Sequence, residues 1–109
     1  MQNNKYKLRY LPVFYEDLGQ SITYIATELK NTKAAQELLD AVEKAILERL
    51  PIAESFEKYH SQKERRHPYY RIYAGNYIIY YVVIKESDEQ SVMEVRRFLY
   101  RGRNREQIV

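Results

Sequence analysis

The chain contains no cysteine and no tryptophan, and only three glycines and three prolines among its 109 residues. Without cysteine there is no disulfide scaffold, no thiol nucleophile and no thiolate site for zinc or iron–sulfur chemistry. Two histidines, His60 and His67, remain as nitrogen donors, and they do not form a metal-binding pair spacing. No metal and no cofactor is expected. The start, Met-Gln-Asn-Asn-Lys, lacks an apolar signal region. The longest apolar run, residues 77–84, is too short to cross a bilayer as a helix. The expectation is one globular, cytoplasmic domain with no membrane contact, because 45% hydrophobic against 30% charged residues suits a single packed core.

What is abundant is tyrosine and unevenly placed charge. There are 12 tyrosines. An apolar ring with a polar tip suits half-buried strand positions and wet binding surfaces. Residues 13–57 carry four Lys/Arg against nine Asp/Glu, whereas residues 58–109 carry eleven against six. The basic excess gathers in two stretches. Lys63, Arg65, Arg66 and His67 lie in one, and Arg96, Arg97, Arg101, Arg103 and Arg105 in the other. Tyr59, Tyr69, Tyr70, Phe98 and Tyr100 are interleaved with them. Basic groups neutralise phosphates and aromatic faces stack on unpaired bases, so nucleic acid is one candidate partner and a solvated basic face the plain alternative.

Periodicity gives the elements. Residues 5–10 alternate apolar and basic, as a strand does. Pro12 can open a helix, and Phe14, Leu18, Ile22, Ile25 and Leu29 recur at helical spacing over 13–29. Asn31-Thr32 breaks the pattern, with Thr32 as N-cap of a second helix over 33–50, which Pro51 stops. Residues 52–68 have no period, and an aperiodic stretch of that length in a small domain is a functional candidate. Strands follow at 69–73, 77–84 and 92–100, joined by an Ala-Gly-Asn turn at 74–76 and a polar turn at 85–91. The expected fold is α+β. An antiparallel sheet of about four strands carries a helical hairpin on one face, in the order β-α-α-β-β-β.

The basic first strand, the helical hairpin, the Tyr-Arg-Ile-Tyr-Ala-Gly-Asn-Tyr-Ile-Ile-Tyr-Tyr-Val-Val run at 70–83 and the closing stretch from Val95 to Arg103 together resemble the RelE/ParE superfamily. These are toxins of bacterial type II toxin–antitoxin modules. The resemblance spans nearly the whole chain. It implies a cognate antitoxin protein as partner and one of two activities. RelE-like and YoeB-like members cut mRNA in the ribosomal A site, and ParE-like members inhibit DNA gyrase without a nuclease site. The expected function is a toxin acting as a metal-independent, ribosome-dependent endoribonuclease. The alternatives are a gyrase poison, a detoxified member and, outside the family, a generic RNA-binding domain.

Metal-free RNA cleavage needs a group to activate the 2′-OH, cations for the phosphate and an acid for the leaving 5′-oxygen. The resemblance places Arg71 at the family's second-strand arginine, suited to hold a phosphate. Tyr100 stands where nuclease members often carry a tyrosine. YoeB-like members have a proton-transferring histidine beside it, and here that position is Leu99. Other acids or bases are His67, His60, Glu54, Glu57 and Glu64. Lys63, Arg65 and Arg66 could supply a RelE-like basic cluster, with Lys63 or Arg66 on the scissile phosphate. Arg97, Arg101, Arg103 and Arg105 read as groups positioning RNA phosphates or an acidic antitoxin segment.

Overall fold

A computed structural model describes residues 5–58 and 67–102. The first strand, β1 (Tyr6–Tyr10), runs into helix α1 (Pro12–Thr23). Pro12 occupies the first turn of α1, where its missing N–H costs nothing. After Thr23 the helix widens into a single π-type turn, Tyr24–Glu28, in which the Leu29 amide reaches back five residues to the Tyr24 carbonyl. The sequence predicts an uninterrupted helix over 13–29. The wider turn shifts the apolar phase, so Leu29 leaves the stripe and is exposed. Lys30 then adopts a left-handed conformation (φ 50°), and the Asn31 amide closes on the Ile25 carbonyl.

Helix α2 (Thr32–Arg49) is capped by Asn31, whose side chain accepts the Ala34 amide at 3.0 Å. The cap is therefore one residue earlier than Thr32. Asn serves because its short amide reaches the third residue of the helix. Pro51 sits inside a 3-10 turn, Leu50–Ile52, that tightens the end of α2. The aperiodic stretch is partly structured: Ala53 is fully buried, and Glu54 accepts the Tyr6 hydroxyl at 2.7 Å.

Strands β2 (Tyr70–Ala74), β3 (Tyr77–Lys85) and β4 (Ser91–Tyr100) form an antiparallel meander. The sheet order is β1-β4-β3-β2. β1 joins β4 in parallel, which makes the sheet mixed rather than wholly antiparallel. The cause is parity. Two reversals through the meander return β4 to the direction of β2, and the helical hairpin has already returned the chain to the direction of β1.

Alternation sorts the strands into two buried faces. Tyr6, Tyr70, Ile72, Ile79, Tyr81, Met93, Val95 and Phe98 meet Phe14, Leu18, Val42 and Ile46 of the helices. Each fully buried aromatic or branched side chain contributes ~1.5–3 kcal/mol here. On the opposite face Tyr69, Ile78, Tyr80, Val82 and Leu99 form a second buried cluster. This two-sided burial explains why Ile78–Val82 is continuously apolar or aromatic instead of alternating with charge. No helix among the described residues is long and apolar enough to cross a membrane.

Candidate functional site

Strand register aligns the charged residues in rows across the face opposite the helices. Arg71 lies beside Tyr80, and Tyr80 beside Arg97. The next row toward the β2–β3 turn runs Tyr73, Ile78, Leu99. On the other side Val82 faces Glu94, and Glu94 faces Arg9 of β1. Between Tyr80 and Tyr81 the register slips, so Tyr80 faces Arg97 while Tyr81 faces Val95. Arg96 is the extra residue of this bulge.

Arg71 and Arg101 converge on one ring. The Arg71 guanidinium lies 5.8 Å from the centroid of Tyr73, and that of Arg101 lies 5.0 Å from it. Tyr73 is about half exposed, so two cations and an aromatic face meet solvent at one corner of the sheet. Arg101 is held there by its amide, which donates to the Asn76 carbonyl of the β2–β3 turn at 2.8 Å. Gly75 (φ 59°) gives that turn the positive φ it requires. Arginine and tyrosine are residue types that give large contact energies where they desolvate together.

The edge strand under Arg71 is braced from α2. Arg49 donates to the Arg71 carbonyl at 3.1 Å and to the Tyr81 hydroxyl at 2.9 Å. Tyr81 in turn donates to the Ala53 carbonyl at 2.6 Å, and the Arg49 guanidinium stacks 3.5 Å from the Phe56 ring. Burial raises the Tyr81 hydroxyl pKa, with Arg49 opposing. The phenol is thus a neutral donor at all physiological pH. One side chain, Arg49, ties the end of α2, the start of the following segment and β2 together.

Three other arginines are engaged by carboxylates. Arg97 makes a forked pair with Asp17 of α1, at 2.8 and 3.0 Å, and Asp17 also accepts the Phe98 amide at 3.1 Å. The hydrogen bond that Arg97 donates to Asp17 pushes the Arg97 pKa up. Buried Glu94 accepts from Arg9 at 2.7 and 2.8 Å and from Arg96 at 2.8 Å. Burial alone would push the Glu94 carboxyl up, but the hydrogen bonds from Arg96 and Arg9 outweigh it and hold the carboxyl below its ordinary value. Arg9, Arg96 and Arg97 are thus committed to carboxylates of the same chain.

Tyr100 does not join Arg71. Tyr100 shares its cross-strand row with Tyr77 and Ala74, both packed on the helix-side core, and its ring meets Tyr77 edge-on at 5.7 Å. Arg71 lies on the same face as Tyr73, opposite the helices. The two side chains therefore lie on opposite faces of the sheet. Leu99, where YoeB-like members have histidine, is 1% exposed within the second cluster. His67 is half-buried, just before Pro68. Lys63, Arg65, Arg66, His60, Glu64, Arg103 and Arg105 fall outside the described residues. Of the other carboxylates, Glu54 receives Tyr6 and pairs with Lys5 at 3.7 Å. Among the described residues no cluster of His, Cys, Asp or Glu is arranged to hold a metal.

Sequence reading missed Tyr73, Asp17 and Arg49. Tyr73 was within reach, because two residues from Arg71 on a strand means the same face. Asp17 and Arg49 carry no local signal. Their partners are 80 and 22 residues away in the chain.

The element order, the mixed four-stranded sheet and the helical hairpin on one face are those of a RelE/ParE-like α+β domain. A family model narrows this: the model for the ParE toxin of the type II toxin–antitoxin system parDE matches residues 8–105. The chain belongs to the family of ParE toxins. Membership implies a cognate antitoxin as partner. No curated protein matches the chain.

Proposed function

We propose that the chain is the growth-inhibiting toxin of its module and that it acts by binding a protein target, DNA gyrase, rather than by cutting mRNA. The observation that carries this reading is the separation of Arg71 and Tyr100 on opposite faces of the sheet. Two groups that flank a sheet cannot act on one phosphate, because general acid–base catalysis needs both within hydrogen-bond reach of the reacting atoms. Buried Leu99 supports it, since a leucine transfers no proton. The family match to ParE toxins points the same way. In this reading the Arg71–Tyr73–Arg101 corner is a docking surface, and the Arg97–Asp17 and Glu94 networks hold its scaffold.

The test is induced expression with two readouts taken together, 5′-end mapping of mRNA and induction of the DNA-damage response. Growth arrest with intact mRNA and a strong damage response is the expected result. Arg71→Ala and Tyr73→Ala are each expected to weaken arrest while the purified variants keep their thermal transition. Defined cuts within translated codons, lost in Arg71→Ala, would return the assignment to a ribosome-dependent nuclease. Arrest undiminished in both variants would remove the corner from the site.

A further inference from the structure

β4 has ten residues and β1 five, and β1 pairs only with Ser91–Val95. The last five residues of β4 therefore keep an edge that no strand covers among the described residues. α1 crosses this edge, and Asp17 takes the Phe98 amide. Along an antiparallel strand, the N–H and C=O of one residue point to the same side, and the side alternates from residue to residue. Since the Phe98 amide points outward, the Phe98 carbonyl and the Tyr100 amide point outward too. Arg101 confirms the alternation, because its amide points the other way, to Asn76. Among the described residues no hydrogen bond from outside the sheet reaches the Phe98 carbonyl or the Tyr100 amide.

Phe98 and Tyr100, which carry these two groups, line a cavity of about 440 Å³ together with Tyr77 of β3 and residues of α1 and the turn after it. Its aromatic lining is built. Tyr77 stacks on Phe98 with centroids 4.6 Å apart, Tyr100 stands edge-on to Tyr77, and Tyr24 faces them from the helix side. Tyr24 and Tyr100 are both more than half exposed, so neither ring is consumed by the core. Gln20 and Ser21 add side-chain donors and acceptors.

We propose that this cavity is a nucleobase site. A carbonyl and an amide two residues apart on one strand edge offer one acceptor and one donor side by side. The Watson–Crick edge of a base carries the matching pair: N6–H and N1 of adenine, or N1–H and O6 of guanine. Tyrosine rings take the faces of the base, as on platforms for unpaired nucleic acid. Purines are favoured over pyrimidines because the larger ring covers more of the aromatic lining. A peptide strand is the weaker occupant. Asp17 already holds the Phe98 amide, so the edge keeps the Tyr100 amide as its outward donor beside the Phe98 and Tyr100 carbonyls; a base needs one donor and one acceptor of these, whereas a ladder needs a donor at every second residue. The base comes either from a free nucleotide or from unpaired nucleic acid. The site lies on the helix side, away from Arg71, and its existence does not depend on gyrase being the target.

The test is amide NMR on the ¹⁵N-labelled chain, titrated separately with AMP, GMP, CMP and a short single-stranded oligoadenylate. Saturable shifts of the Tyr100 amide are expected with AMP and GMP, and weaker ones with CMP. Tyr100→Ala keeps the amide and loses the ring, and is expected to weaken binding roughly 5- to 100-fold, the range for loss of one stacked base. Tyr100→Phe keeps the ring and is expected to bind like the parent. Saturation by the oligonucleotide alone would assign the site to unpaired nucleic acid and still support it. No shift at Tyr100 with any ligand overturns the proposal, as does unchanged affinity in Tyr100→Ala with a dispersed, folded spectrum. Saturation by a capped trivaline peptide, with silence toward nucleotides, overturns it in favour of strand addition.

Discussion

Removing one oxygen atom tests the brace beneath Arg71. Tyr81→Phe keeps the buried ring and its stacking on Tyr70, whose centroid is 5.1 Å away at an interplanar angle of 11°. What disappears is the 2.6 Å bond to the Ala53 carbonyl and the 2.9 Å bond from Arg49. Ala53 is fully buried, so its carbonyl is left without that partner, at about 1–3 kcal/mol. Arg49 keeps the Arg71 carbonyl and the Phe56 ring, so its loss is smaller. The sum is ~2–3 kcal/mol, or roughly 10–15 °C in Tm for a chain of this size. Urea unfolding followed by circular dichroism measures it directly. A double-mutant cycle with Arg49→Met isolates the Arg49–Tyr81 coupling, expected near ~1 kcal/mol. A loss below ~0.5 kcal/mol in Tyr81→Phe, with no coupling, would refute the brace.

Three further outcomes follow from single residues. Lys30→Gly relieves a left-handed non-glycine residue and is expected to raise stability by ~0.5–1 kcal/mol in the same unfolding assay. The Glu94 carboxyl has a depressed pKa in the fold, so its ion pairs add stability above the ordinary value of about 4.5, and that stability is lost as pH falls through the lower folded value. Glu94→Gln is therefore expected to lower stability at pH 7 and to flatten the acid limb of a Tm-against-pH curve. Leu99→His, at a position 1% exposed, is expected to cost ~2 kcal/mol or more of stability and to confer no mRNA cleavage in 5′-end mapping.

Much of the fold was legible because local signals agreed with one another. Pro12, the i, i+3, i+4 stripes of both helices, the Gly75 turn and the β-branched run of β3 each point to the same element boundaries. Three features were not legible. The π-type turn after Thr23 follows a helical pattern with no break in it, so only the exposed Leu29 betrays the phase shift. The parallel β1–β4 pair depends on where the chain returns after the hairpin, which no local propensity encodes. The bulge at Arg96 adds one residue between register pairs, invisible in a strand that alternates on both sides of it. The candidate site was legible in residue type more than in arrangement. Arg71 and Arg101 come together around Tyr73, but Arg97 turns to Asp17, and Arg9 and Arg96 to Glu94. Charge counted along a sequence does not show which cations pair with a carboxylate far along the chain.

Action of this ParE-family chain on gyrase rather than on mRNA, as proposed, is open to a direct test. The most direct measurement adds the purified chain to purified DNA gyrase, ATP and relaxed plasmid, and scores supercoiling and gyrase-dependent DNA breaks. The expected result is lost supercoiling with accumulated breaks, both reduced by Arg71→Ala. Full supercoiling at excess toxin, alongside codon-defined mRNA cuts in a translating extract, would contradict it.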